Sequence, residues 1–416
     1  MCKRAVSVLL AILIMAFSTV TCFAEEDYRE IWGVTQASQI EQIPIEVLER
    51  STELIIDTAA SFTAQLPAKS FILMEQTTGK VIVEQNADEQ MAPASITKIM
   101  TILLIMEAIE QGRMKLEDVV TCSPHASSMG GSQIWFEPGE QMSVNDLLKA
   151  AIIGSANDAS VALGEHLSGS EEAFVDMMNQ RAKELGMQNT HFVNATGLDA
   201  DGHLTTARDI AIMSRELLKH DLVKKYSTIW MDSLRNGETQ LVNTNKLVRF
   251  YNGTTGLKTG TTDSAGKCLA ASAERGGLSL VAVSLGSASS DERFACGKAL
   301  LDFGFANYMA YELPSVEDQL APVRVRSGVV SQVSPVYDKP DLVVIDKGDK
   351  DNVTQQVTLS EDVTAPIEKG QTIGKVVVSV SGEKVAEYPL KAAEAIDKMT
   401  FGKALQILGK ALGSFK

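Results

Sequence analysis

Residues 92–101 read APASITKIMT, which sets Ser95 and Lys98 three positions apart where a polar loop gives way to an apolar segment. Three residues along a helix is nearly one turn, so the hydroxyl and the amine share a face. A serine is a poor nucleophile until a base stands beside it. A lysine is that base only when burial or a second cation lowers its pKa. Lys98 meets the first condition if the helix is buried, and the positive end of the helix dipole acts in the same direction. The Ser95 N–H, near the helix start, is placed to steady an oxyanion. The pattern S-x-x-K is weak by itself, since ordinary composition yields it about once or twice in a chain of this length. The plain alternative has Ser95 capping the helix and Lys98 extending to solvent.

Two further stretches carry polar groups suited to the same chemistry. GSAND supplies Ser155 and Asn157 at a break between apolar segments, where side chains can point into a cleft. GLKTGTT supplies Lys258, Thr259, Gly260 and Thr261 within a β-branched run. Lys258 there is a cation flanked by hydroxyls, suited to a carboxylate. Gly260 would leave room for a substrate backbone at the strand edge. K-T-G arises by chance in only about one such chain in ten. Taken singly, Ser155 and Asn157 also fit helix capping, and Lys258 fits a solvated strand-edge charge.

The elements that must position these groups can be read from pattern. SFILMEQTTGKVIVEQNAD predicts a hairpin around TTGK. Ser95 to about Gly112 predicts a helix apolar on nearly every side, hence a core helix. A helical stretch follows, including SEEAFVDMMNQRAKELGM with acids in its first turn. Strands return at GLKTGTT, GKCLAASAE and LSLVAVSLG, and SDERFACGKALLDFGFANY closes with a helix. Strands at both ends with helices between predict an α+β domain over 69–315 whose terminal segments share one sheet. Residues 316–390 alternate polar and β-branched residues and predict a small β-rich domain. In 394–416, Phe401, Leu405, Leu408, Leu412 and Phe415 fall on one side of a helical wheel, with Lys403 and Lys410 opposite.

The N-terminus has the form of an export signal. Lys3 and Arg4 precede AVSVLLAILIMAF, and Ala24 stands before an acidic stretch, so residues 1–24 are expected to be cleaved. Residues 25–68 form a lead-in with no clear pattern. Export places the mature protein outside the cytoplasmic membrane. A net charge of −15 disfavours nucleic acid as a partner. Removal of the signal leaves Cys122, Cys268 and Cys296, an odd number, so at least one thiol is unpaired. No C-x-x-C or H-E-x-x-H pattern occurs, and neither metal nor cofactor is expected.

The order S-x-x-K, S-x-N, K-T-G resembles the penicillin-recognising serine enzymes. EQNADEQMAPASITKIMT, NTHFVNATGLDADGHLTTARD, KTGTTDSAG and LLDFGFANY resemble the low-molecular-mass penicillin-binding proteins, the serine-type D-alanyl-D-alanine carboxypeptidases, over about residues 69–390. The resemblance implies a penicillin-binding/β-lactamase-like transpeptidase domain, a sheet with a helical cluster. A small all-β domain and an amphipathic membrane-anchor helix at 394–416 would follow. It implies Ser95 as nucleophile on the carbonyl between the last two D-alanines of peptidoglycan stem peptides, and Lys98 as general base. Ser155 would link Lys98 to Lys258 and relay a proton to the leaving D-alanine. Asn157 would bind the substrate amide; Lys258, Thr259 and Thr261 would receive the terminal carboxylate. The N–H groups of Ser95 and Thr261 would form the oxyanion hole. β-Lactams would be inhibitors. Some members carry an arginine upstream of K-T-G and a histidine after it. Thr244 and Thr261 stand at those positions here, which shifts carboxylate recognition toward Lys258 and the two threonines. Three other readings compete with this one. A β-lactamase needs a deacylating glutamate, and NTHFVNATG offers none. An inert wall-binding protein would not need the intact motifs. An endopeptidase would carry the same motifs.

Overall fold

The structure, a computed structural model, describes Phe62, residues 64–337 and residues 342–413. The expected export signal and nearly all of the 25–68 lead-in lie outside the described residues.

Strands β1 (Ser70–Glu75) and β2 (Val81–Gln85) form the first hairpin. Strands β3 (Thr254–Thr262), β4 (Gly266–Arg275) and β5 (Leu278–Ser287) form a meander. β1 joins β5 antiparallel, and the sheet runs β2-β1-β5-β4-β3. The two ends of this domain therefore share a sheet, as strands at both ends with helices between predict.

Both faces of that sheet are covered, which is why its central strands are apolar without alternation. Ile72, Met74, Val281 and Val283 face the helical cluster and join its core. Their neighbours face helix α6 (Ser290–Asn307): Leu269 lies against Gly297, and Leu73 and Leu280 lie against Gly304. The period of two along each strand divides the two sets.

Helix α1 (Lys98–Glu110) is the axis of the helical cluster, with Lys98 through Met106 buried. Around it stand α2 (Val144–Ile152), α3 (Asn157–Ser168), α4 (Glu171–Glu184) and α5 (Ala207–Leu217). Serine or threonine side chains cap three of these at the N3 amide: Ser143 on α2, Ser170 on α4 and Thr206 on α5. Cys122, Cys268 and Cys296 are all buried and unpaired.

Beyond α6, strand β6 (Tyr308–Tyr311) lies ahead of the expected start at 316, yet it pairs with β7 (Val343–Asp346). The alternating residues that follow split into a three-stranded and a four-stranded sheet over separate small cores. The helix expected over 394–416 begins only at Phe401, giving α7 (Phe401–Gly413). Residues ahead of it are tied into the β region by bridges from Ile396 to Ile367 and from Lys398 to Gly328. No helix of the described residues is long and apolar enough to cross a membrane.

Candidate active site

Ser95 does not open an α-helix. It sits in a tight 3-10 turn, Ala94–Thr97, and α1 starts at Lys98. Ala94 holds a left-handed φ of 48°. Two glycines explain this turn. A Cβ on Gly197 would lie 1.8 Å from the Ala94 carbonyl oxygen. A Cβ on Gly260 would come within 3.0 Å of Ala94 Cβ and of Pro93 O. The Ser95 turn is thus seated between a loop and strand β3. Space at Gly260 serves this packing of protein on protein, which corrects the expectation of room for a substrate backbone.

Lys98 is fully buried, and its Nζ lies 3.0 Å from Ser95 Oγ. It also donates to the Thr196 carbonyl at 2.7 Å. Burial, followed by the Lys258 charge, pushes the Lys98 pKa well below the usual lysine range. In the neutral amine, an N–H held by Thr196 leaves the lone pair for the Ser95 hydroxyl. The Thr196 loop is fixed by Asn194, whose Oδ1 accepts from the N–H groups of Thr196 (3.1 Å) and Gly197 (2.7 Å). Glu171 accepts from Ala195 N at 2.9 Å, and Thr101 donates to Ala195 O at 2.7 Å.

Ser155 and Asn157 stand in the turn between α2 and α3. Both are buried, and Ser155 holds a φ of 61°. A non-glycine residue in that region carries strain of the kind that collects at functional sites. Asn157 donates its backbone N–H to Ser132 O (2.7 Å) and its amide Nδ2 to Gly130 O (2.6 Å). That arrangement leaves Oδ1 buried and unpartnered. The expected hydrogen-bonded link from Ser155 to Lys258 is not closed, because Lys258 Nζ has no partner.

Strand β3 brings Lys258, Thr259, Gly260 and Thr261 alongside the Ser95 turn, with Lys258 buried and Thr261 exposed. Burial, then the Arg293 charge, lowers the Lys258 pKa to about 7. Arg293 is a site residue that sequence reasoning missed. It reaches from α6, where Nη1 donates to Gly260 O and to Thr261 Oγ1, each at 3.1 Å. Thr244, upstream of K-T-G, leaves its buried hydroxyl unpartnered. Asn194 and Thr196 were also missed, although N-x-T-G carries a legible turn signal.

A buried lysine on a serine, a second buried lysine on a strand edge and a strained S-x-N turn define a penicillin-recognising serine enzyme site. The D-alanyl-D-alanine carboxypeptidase family (peptidase S11) matches residues 57–289, and the C-terminal domain of penicillin-binding protein 5 matches residues 308–398. The chain belongs to the D-alanyl-D-alanine carboxypeptidase family. It is 45% identical over 338 residues to the D-alanyl-D-alanine carboxypeptidase DacF of Bacillus subtilis, covering 80% of this chain and 87% of that one. It is similar in structure to penicillin-binding protein 5 from Haemophilus influenzae, with TM-score 0.75 and 30% identity, covering 81% of this chain and all (100%) of that one. Penicillin-binding protein D2 from Listeria monocytogenes, in its ampicillin-bound form, matches 59% of this chain and 100% of its own, with TM-score 0.54 and 32% identity.

Proposed function

We propose that this protein is a serine-type D-alanyl-D-alanine carboxypeptidase that removes the terminal D-alanine of peptidoglycan stem peptides through an acyl-enzyme on Ser95. The observation that carries the reading is the 3.0 Å approach of Lys98 Nζ to Ser95 Oγ, with the lysine buried and its pKa depressed. Ser95 Oγ attacks the penultimate carbonyl while its proton passes to Lys98 Nζ. The N–H groups of Ser95 and Thr261 hold the oxyanion. The C–N bond then breaks, and Ser155 relays a proton to the departing D-alanine amine. Water, activated by the same lysine, hydrolyses the ester. Asn157 Oδ1 accepts from a substrate N–H. The terminal carboxylate lies against Lys258, Thr259 and Thr261, with Arg293 behind Thr261.

The same reading makes β-lactams acylating inhibitors, and it is favoured by the ampicillin-bound relative. The opened β-lactam keeps its ring remnant attached, so no leaving group vacates the site. Glu171, the carboxylate that enters the Thr196 loop, is engaged by Ala195 N and His125. It is not free to serve as a β-lactamase glutamate. In location, the reading takes residues 1–24 as an export signal, 69–315 as the catalytic domain and 316–390 as the β domain. The tail 394–416 then attaches the protein to the outer face of the membrane through α7.

A fluorescent penicillin and a defined muropeptide test this reading together. Wild-type protein should label covalently and release D-alanine from uncross-linked pentapeptide, and Ser95→Ala should do neither. Labelling that persists in Ser95→Ala sinks the mechanism. Release of peptide from cross-linked dimers, without D-alanine from monomers, would favour the endopeptidase.

A further inference from the structure

His203 is 2% exposed, and its ring joins the two segments that hold Lys98. Nε2 lies 2.8 Å from Thr97 Oγ1. Thr97 is the last residue of the Ser95 turn and stands directly before Lys98. On the other side of the ring, Nδ1 accepts from Val193 N–H at 3.0 Å. Val193 lies a few residues before Thr196, whose carbonyl accepts from Lys98 Nζ. The loop that carries both is closed at its neck, where His191 and Leu204 exchange backbone bonds of 2.9 and 3.1 Å. Phe192 meets the imidazole edge-on, with ring centroids 5.8 Å apart.

These contacts fix the state of the ring. A nitrogen that accepts from a backbone N–H carries no proton, so the neutral ring is protonated on Nε2. Nε2 therefore donates, and Thr97 Oγ1 accepts. Burial, then His191, lowers the His203 pKa to about 4 against the opposing pull of Asp199, so the ring is neutral near pH 7. Thr97 makes this bond in place of a local one. It is the residue before α1, where a threonine side chain commonly caps the helix. Its φ and ψ of −45° and −37° are already helical, and its hydroxyl makes no capping bond. The hydroxyl turns instead to a histidine 106 residues away. A histidine that only filled the core would need partners, but not one on each support of the same lysine.

We propose that His203 is a positioning residue for the Lys98 base, tying the Ser95 turn to the Thr196 loop so that Lys98 Nζ stays between Thr196 O and Ser95 Oγ. This rests on the reading of Lys98 as the base. Lys98 Nζ lies 2.7 Å from Thr196 O and 3.0 Å from Ser95 Oγ. The first contact must hold an N–H if the lone pair is to face the hydroxyl. A slip of the loop against the turn lets the amine rotate and turns the lone pair aside, and a displacement of about 1 Å can cost about 100-fold in rate. Thr101 ties Ala195 O to α1 one turn further on, and His203 makes the tie at the turn itself. A carboxylate could not replace the ring because it lacks the donor, and an ammonium lacks the acceptor.

The test measures the rate of acylation by benzylpenicillin, kcat and KM on a D-Ala-D-Ala peptide, and Tm for each variant. His203→Asn keeps an acceptor near the Nδ1 position and loses the Thr97 bond. His203→Gln carries an amide N–H out to the Nε2 position. Acylation and kcat should fall about 10–100-fold in His203→Asn with KM little changed, and His203→Gln should recover most of that loss. Thr97→Val keeps the shape, removes the hydroxyl and should match His203→Asn. The double variant should be no slower than either single one, as one shared bond requires. Wild-type acylation in His203→Asn with a lowered Tm would make His203 a core residue only and overturn the proposal, as would additive losses in the double variant. Should His203→Asn fail to fold, unchanged acylation in Thr97→Val overturns it. Wild type that acylates but releases no D-alanine would overturn the carboxypeptidase reading alone, since acylation still tests His203.

Discussion

Arg293 donates to the Thr261 hydroxyl across 3.1 Å, from a helix on the far side of the sheet. A hydroxyl that accepts from a guanidinium has its own proton free to donate outward. Thr261, exposed on the strand, is thereby oriented as a donor toward the cleft, and the cation behind it adds to Lys258.

Arg293→Ala should therefore weaken substrates that end in a carboxylate. Relative to wild type, kcat/KM for a D-Ala-D-Ala peptide should drop about 10–100-fold, while the matching C-terminal amide, already poor, should change little. Arg293→Lys should recover part of the loss, without the double donation to Gly260 and Thr261. Equal losses on acid and amide would show that Arg293 only braces the strand.

The pH profile follows from two lysines with opposite needs. Lys98 must be neutral to accept a proton, so activity rises as pH climbs through its depressed pKa. Lys258 must be charged to hold a carboxylate, and in the free enzyme it loses its proton at about 7. A bound carboxylate favours the cation and raises that value. The alkaline limb of kcat/KM should thus begin near pH 7, and that of kcat should lie higher. A kcat/KM that climbs without a break to pH 10 would contradict the assignment of Lys258.

Gly260→Ala tests the packing of the nucleophile turn. The new methyl would meet Ala94 Cβ and Pro93 O at 3.0 Å, with backbone on one side and little freedom to yield. A destabilisation of about 1–3 kcal/mol is expected from such overpacking. Penicillin acylation should slow more than tenfold, because Ser95 moves with its turn. Wild-type labelling kinetics in a variant of lowered stability would separate the turn from the chemistry.

The tail prediction takes its boundary from the bridges at Ile396 and Lys398. Removal of residues 401–416 should leave stability and peptidase rate unchanged and abolish binding to anionic vesicles. Phe401, Leu405 and Leu408 are all exposed, as an interfacial helix requires. Vesicle binding that survives the truncation would place membrane attachment elsewhere.

Much of this site was legible because its residues carry their chemistry in short local patterns. S-x-x-K, S-x-N and K-T-G can each be read without the fold, and runs of valine, leucine and alanine mark the strands that hold them. The turn at Ser95 could not be read. Its 3-10 geometry comes from Gly197 and Gly260, which lie far along the chain. Arg293 could not be read either, since in SDERFACG it has the form of an ordinary first-turn helix residue. In the C-terminal region, alternation showed strands, but the division into two sheets depends on pairings that a period of two does not encode.

The seat of Ala94 between two distant glycines has a consequence for when the protein becomes reactive. Local sequence gives that turn one bond, from Ile96 N–H to Pro93 O, and until the distant glycines dock Ser95 is an ordinary alcohol. Lys98, solvated until then, is an ordinary ammonium. Reactivity arrives only when the loop at Gly197 and the strand at Gly260 have both docked on the turn. Latency before folding is then a property of the topology.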